Sequence, residues 1–141
     1  MFFKPMLLPM IAMVALTFAV WVFMYITRIS EMGRKKIDPQ KLDTHVKALA
    51  LLTESSGPAS NLRNLFELPM LFYLAVLLTL VLLVQDAWLV ALSWAFVLLR
   101  AVHSFIHCTY NNVMHRFTVY AASCVVLFLM WTQLAWYVIS N

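Results

Sequence analysis

The chain has 141 residues, 64% hydrophobic and 11% charged, with a net charge of +4. Soluble domains are nearer half apolar and a quarter charged, so this composition argues against a water-soluble globule, and with 2 Gly and 5 Pro it excludes low-complexity disorder and collagen. Seven of the ten basic residues fall between Arg28 and Arg63 and the rest are single charges beside apolar runs, which is a membrane-orientation pattern and not a nucleic-acid footprint.

A helix needs about 20 apolar residues to cross the hydrocarbon core. The first expected span covers about 6–27. It is uncharged, longer than the apolar part of a secretory signal and without a small-residue cleavage site, so it reads as a retained span. A loop follows over about 28–59. Within it, Asp38-Pro39 is a turn or helix start, 41–52 fits a short amphipathic helix on the membrane surface, and Ser55-Ser56-Gly57-Pro58 breaks the chain again. The second span, about 63–84, opens with Arg63, Asn64 and Glu67, and Pro69 is expected to bend it and free a carbonyl. Gln85-Asp86 is a tight turn. The third span, 87–108, is apolar except for Arg100, His103 and His107, and a short loop leads to the fourth, about 117–139. Cys108 and Cys124 show no metal or CxxC spacing and read as packing residues. The chain is therefore expected to be all-α, a single domain over 1–141 built as a bundle of four transmembrane helices.

Four spans put the long first loop and the short third loop on one side. Arg28, Arg34, Lys35, Lys36, Lys41 and Lys47 lie there, against Lys4 alone on the other side. The positive-inside rule then places both loops in the cytoplasm and both termini outside it. Trp88, Trp131, Trp136 and Tyr137 fall near the outer helix ends, and Tyr25 and Tyr110 near the inner ones.

Ionisable side chains inside a membrane helix cost roughly 2.5–3.5 kcal/mol each on insertion scales and mark function by default. Here they gather at one depth. Arg63 and Glu67 are one helical turn apart on the same face. Arg100, His103 and His107 fall within about 60° of one another on the third helix, with Ser104 and Asn111 beside them. Arg100 lies about 18 Å along that helix from Trp88, past the midplane. Arg116 opens the fourth helix and Tyr120 follows one turn later. Three arginines against one carboxylate, Glu67, point to a bound anion, because unpaired buried charge is expensive and guanidinium forks suit carboxylates and phosphates. Blander readings stand beside this one. Arg63 and Arg116 would snorkel to headgroups, Glu67 would be only a counter-ion, and Tyr120 would be an interface aromatic. His103 and His107 have metal-ligand spacing, but no second carboxylate or cysteine joins them, so no metal site is expected. A proton pathway would need charged residues in the outer half, which has almost none.

The set Arg63-Asn64-x-x-Glu67, Arg100-x-x-His103 and Arg116 with Tyr120, together with the length and the four spans, resembles the family of membrane-associated proteins in eicosanoid and glutathione metabolism (MAPEG) over essentially the whole chain. The resemblance implies a homotrimer, with glutathione as co-substrate bound bent between neighbouring subunits at the cytoplasmic half. Arg28, Arg63, Asn64, Glu67, Arg100, His103, His107 and Tyr120 would line the site, and Arg116 would stabilise the glutathione thiolate. A nearby guanidinium does lower a thiol's pKa. The implied activity is that of a glutathione S-transferase or peroxidase acting on a lipophilic electrophile or lipid hydroperoxide that enters from the lipid. The alternative is a non-catalytic lipid- or anion-binding scaffold of the same fold. Position 107 is His where the prostaglandin and leukotriene synthases carry Tyr, position 117 is Phe where the prostaglandin synthase has Ser, and Pro69 stands two residues after Glu67 rather than four. These departures point away from prostaglandin or leukotriene chemistry. Phe66-Glu67-Leu68-Pro69 and Tyr110-Asn111-Asn112 look like a bacterial branch, which implies an inner-membrane location.

Overall fold

A computed structural model describes residues 4–140. Residues 1–3, the Lys4 side chain and Asn141 lie outside the described residues, and with them the lone charge expected at the far side and the two ends of the expected 1–141 domain. The elements are α1 (Lys4–Lys35), a 3-10 turn (Pro39–Leu42), α2 (His45–Leu51), α3 (Ser56–Val81), α4 (Ala87–Cys108) and α5 (Val113–Ser140), with no strand among the described residues. Of the five helices among the described residues, four, all but α2, are long and apolar enough to cross a membrane. The protein is thus an integral membrane four-helix bundle.

Three of these helices outrun the apolar stretches that announce them. Apolar length measures the hydrocarbon, whereas the backbone ladder continues until something caps it. α1 therefore runs on through charged residues to Lys35. It stops where Lys36 turns left-handed (φ 51°), with the Ile37 N–H donating to the Met32 carbonyl (3.0 Å) and the Lys36 N–H to Gly33 (3.4 Å). α3 starts at Ser56, with Gly57 and Pro58 in its first turn, so the loop expected over 28–59 shrinks at both ends. Asp38 caps the 3-10 turn by accepting from the Gln40 N–H (3.0 Å), with Pro39 at its first position. The amphipathic helix expected over 41–52 is realised only as α2, because Thr44 leaves the helical conformation and caps it by accepting from the Lys47 N–H (3.3 Å).

A buried carboxylate ties this loop to the bundle. Glu31 is 1% exposed. Its Oε1 accepts from Lys35 Nζ (2.5 Å) and the Glu54 N–H (3.0 Å), and its Oε2 accepts from the Ser55 N–H and hydroxyl, both at 2.8 Å. Arg34 pairs with Glu54 at the loop surface. The last turn of α1 thus holds the two residues that precede α3.

α4 is the most buried of the four spans and packs against α1, α3 and α5. Its inward stripe is Leu89, Leu92, Phe96 and Val97, then Arg100, His103 and His107, at the three- and four-residue spacing of one helix face. The apolar half of this stripe meets Phe72 of α3, whose ring stacks on Phe96 at 4.7 Å and 17°. Lipid tails are as apolar as these side chains, so close van der Waals fit holds the helices together here. At the far end Asp86 joins three pieces of chain. It follows the α3–α4 turn, caps α4 through the Trp88 N–H (2.8 Å), and accepts from the Gln133 amide of α5 (2.9 Å). Near the loops, α3 and α4 approach so closely that a Cβ on Gly57 would sit 2.9 Å from the His107 carbonyl oxygen.

Two stability outcomes follow from these contacts. Glu31→Ala removes charge-assisted hydrogen bonds worth roughly 1.5–3 kcal/mol apiece; the variant is expected to melt lower in detergent and to be cut faster by trypsin at Lys36 and Lys41, with Glu31→Gln intermediate. Gly57→Ala forces α3 off α4 and is expected to cost about 1–3 kcal/mol, read as a lower melting temperature; an unchanged melt would mean that the two helices separate freely.

Candidate functional site

The polar half of the α4 stripe faces the first turns of α3 and α5, and these three helices gather most of the expected residues. Arg100 is fully buried. Its Nη2 donates to the Asn64 carbonyl oxygen of α3 (3.0 Å), and its Cζ lies 5.5 Å from the centre of the Tyr120 ring of α5, a cation–π distance. The remaining donors, Nε and Nη1, are buried without a hydrogen-bond partner. His103, 2% exposed, has Nδ1 3.2 Å from the Arg116 carbonyl oxygen, while its Nε2 is buried and unpartnered. The rings of His107 and Tyr120 lie 5.5 and 5.8 Å from that of His103.

Arg116 occupies an unusual place for a cation. The N-terminus of α5 is capped by Asn112, whose Oδ1 accepts from the Met114 and His115 N–H groups (3.0 and 3.2 Å). A positive side chain this close to the positive end of a helix dipole is disfavoured by a few tenths of a kcal/mol or more. It is held there by two contacts of Nη1, to His107 Nε2 (2.9 Å) and to Asn111 Oδ1 (2.8 Å). Asn64, His103, Val113, Arg116, Phe117 and Tyr120 line a cavity of about 180 Å³. Larger hollows of about 460 and 440 Å³ open on the apolar α1–α3 face and around Asp86, but neither has an arginine in its wall.

The electrostatics bear on one of the two readings of Glu67, that of a counter-ion. Arg63 and Glu67 share a face of α3, yet they form no ion pair among the described residues. Arg63 is exposed and contacts His45 Nε2 of α2 instead. Glu67 is exposed and makes no hydrogen bond among the described residues, although its charge acts on Arg100 and Tyr120. Arg28, half-buried on α1, takes no part in the cluster's hydrogen bonds and keeps a buried Nε without a partner. None of Arg63, Arg100 and Arg116 has a carboxylate within ion-pair distance among the described residues, so the expected count of three cations against one carboxylate stands with none of the three paired.

Several residues were not singled out by sequence reasoning. Glu31 escaped because its partners, Glu54 and Ser55, are distant in sequence, although Lys35 one turn on was a visible signal. Asn61, fully buried one turn before Leu65, accepts from the Ser104 hydroxyl (3.4 Å) and donates to Cys108 Sγ (3.5 Å). Cys108 and Cys124 are both free and half-buried. His45 carried no pattern that marked it.

None of the curated proteins and none of the solved structures compared with the chain matches it. The sequence does match the MAPEG family over residues 6–136, nearly its full length and including every residue of the cluster, and the protein belongs to that family.

Proposed function

We propose that the protein is a glutathione-dependent transferase or peroxidase of the membrane, acting on a lipophilic electrophile or a lipid hydroperoxide. The observation that carries this reading is the uncompensated guanidinium set. Among the described residues, Arg100 keeps two buried nitrogens without acceptors, and Arg116 sits at a helix N-terminus with no carboxylate at ion-pair distance. Both conditions are relieved by an anion, and glutathione brings two carboxylates and a thiol that ionises. Arg63, Asn64, Glu67 and Arg100 would hold the peptide, with Glu67 taking its ammonium group. Arg116 would stabilise the thiolate. In transfer, the thiolate sulfur bonds to the electrophilic carbon and displaces its leaving group or opens its ring. In peroxide reduction, two glutathiones are oxidised to the disulfide while the hydroperoxide becomes an alcohol and water.

The cavity of about 180 Å³ in one chain is smaller than the usual ligand pocket of roughly 300–1,000 Å³. That supports a homotrimer in which a neighbouring copy completes the site and contributes Arg28. The basic residues of the loop between α1 and α3 support a cytoplasmic position for that loop and both termini on the far side, and the resemblance of Phe66-Glu67-Leu68-Pro69 and Tyr110-Asn111-Asn112 to a bacterial branch supports residence in a bacterial inner membrane. A reporter fused after Asn141 that is active only outside the cytoplasm is expected to be active; a cytoplasmic signal would invert the topology.

Binding is tested by calorimetry with glutathione on the detergent-purified protein. Arg100→Ala and the milder Arg100→Lys are expected to weaken binding about 10- to 100-fold, the loss of one or two charge-assisted hydrogen bonds. Arg116→Ala is expected to abolish turnover of a panel of electrophiles and hydroperoxides while the assembly stays intact by light scattering. Absence of binding at millimolar glutathione in the wild type would overturn this reading in favour of a lipid-phosphate or scaffold role for the same cations.

A further inference from the structure

The proposed thiolate partner, Arg116, is held by two groups that belong to different elements. Its guanidinium can only donate, so His107 Nε2, 2.9 Å away, must be the acceptor. The imidazole is therefore neutral, and its proton is on Nδ1. Asn111 Oδ1, 2.8 Å from the same nitrogen, accepts the second hydrogen. Both hydrogens of Nη1 are then committed to the protein, and only Nη2 and Nε remain to face the cavity that Arg116 lines with His103, Phe117 and Tyr120. The backbone is fixed as well. The Arg116 N–H donates to the Asn112 carbonyl (3.0 Å), and the Arg116 carbonyl accepts from His103 Nδ1 (3.2 Å).

Asn111 has two separable jobs. It stands in the left-handed region (φ 47°), and its N–H donates to the Ile106 carbonyl (2.8 Å), which closes the end of α4. Glycine or asparagine adopts this conformation at little cost. The side chain is free to serve Arg116 because the backbone alone makes the turn. The charged and titratable groups around His107 are Arg116 from α5 and His103 and Arg100 from α4; the α3 backbone closes over it at Gly57. None of these accepts from the guanidinium, so among the described residues no other group duplicates the two contacts.

We infer that His107 and Asn111 are positioning residues that clamp Arg116 by Nη1 and aim its remaining donors at the glutathione sulfur. This inference rests on the glutathione reading above, and it gives position 107 a role different from ligand contact. The clamp makes Arg116 directional, since a guanidinium free to rotate about its long side chain would spend much of its time turned to headgroups or water.

The test pairs Asn111→Gly, which keeps the left-handed backbone and deletes the acceptor, with Asn111→Asp, which keeps both. His107→Phe and His107→Gln form the second pair. The first readout needs no glutathione. NMR of isotope-labelled arginine side chains in the detergent-solubilised protein is expected to give distinct Nη signals for Arg116 in the wild type. These should merge through free rotation in Asn111→Gly and His107→Phe and stay distinct in Asn111→Asp and His107→Gln. Merged signals in the wild type, or signals unchanged by both deletions, would overturn the clamp. The second readout is the ultraviolet absorbance of bound glutathione thiolate against pH. Asn111→Gly and His107→Phe are expected to raise the pH of half-ionisation by about one unit, a tenfold loss of thiolate, with glutathione affinity changed less than about threefold, under the worth of one charge-assisted hydrogen bond. An unchanged midpoint with normal binding would overturn the positioning role. A wild type that binds no glutathione would defeat the function proposed above and with it the aim at sulfur, while the arginine signals still decide whether the clamp exists.

Discussion

A guanidinium closed off from water inside a membrane-spanning bundle constrains everything around it. Arg100 cannot give up its proton under ordinary conditions and cannot reach the headgroups from a fully buried position. The surrounding chain has answered with a backbone carbonyl from α3 and an aromatic face from α5, both of them neutral. A carboxylate would have been the stronger partner, and among the described residues none lies at ion-pair distance. The fold therefore carries an electrostatic debt at this depth, and the placement of α3 and α5 against α4 is the arrangement that keeps it tolerable.

The same helix explains why the site sits where it does. The inward stripe of α4 is apolar from Leu89 to Val97 but for Ser93, whose hydroxyl donates back to the Leu89 carbonyl, and it carries its charged and titratable groups from Arg100 to His107. One continuous face thus packs the far half of the bundle by contact and the near half by hydrogen bonding. At the far end Asp86 gathers the turn, α4 and α5 into one tie, whereas at the near end Glu31 holds the loop and leaves the cluster's donors unfilled. Rigidity and unsatisfied polarity are segregated along the helix axes, the arrangement that the proposed anion site calls for.

The helices and the cluster were legible in the sequence for different reasons. Hydropathy length marks a span because every backbone polar group in lipid must be paired within the helix, so four long apolar runs leave little freedom. The arginines and histidines stood out because lipid makes charge conspicuous, and helical spacing placed Arg100, His103 and His107 on one face. What could not be read was partnership across distant segments. Arg63 looked like the mate of Glu67 from spacing, yet it meets His45 of α2, a helix whose position depends on how Glu31 and the loop fold back. Asn111 was visible beside the α4 face, but its hold on Arg116 depends on a left-handed turn that spacing rules do not supply.

The burial of Glu31 also orders events in time. Ser55 and Glu54 are made more than twenty residues after it, so while the first span leaves the ribosome the carboxylate has only Lys35 and water as partners. Until those two residues emerge, the end of α1 must remain in the aqueous phase, because an unpaired carboxylate cannot enter lipid cheaply. The loop is thereby committed to the aqueous side before the second span is complete, and closure of the carboxylate by Glu54 and Ser55 delivers the start of α3 to the membrane surface, with the register of that helix already set.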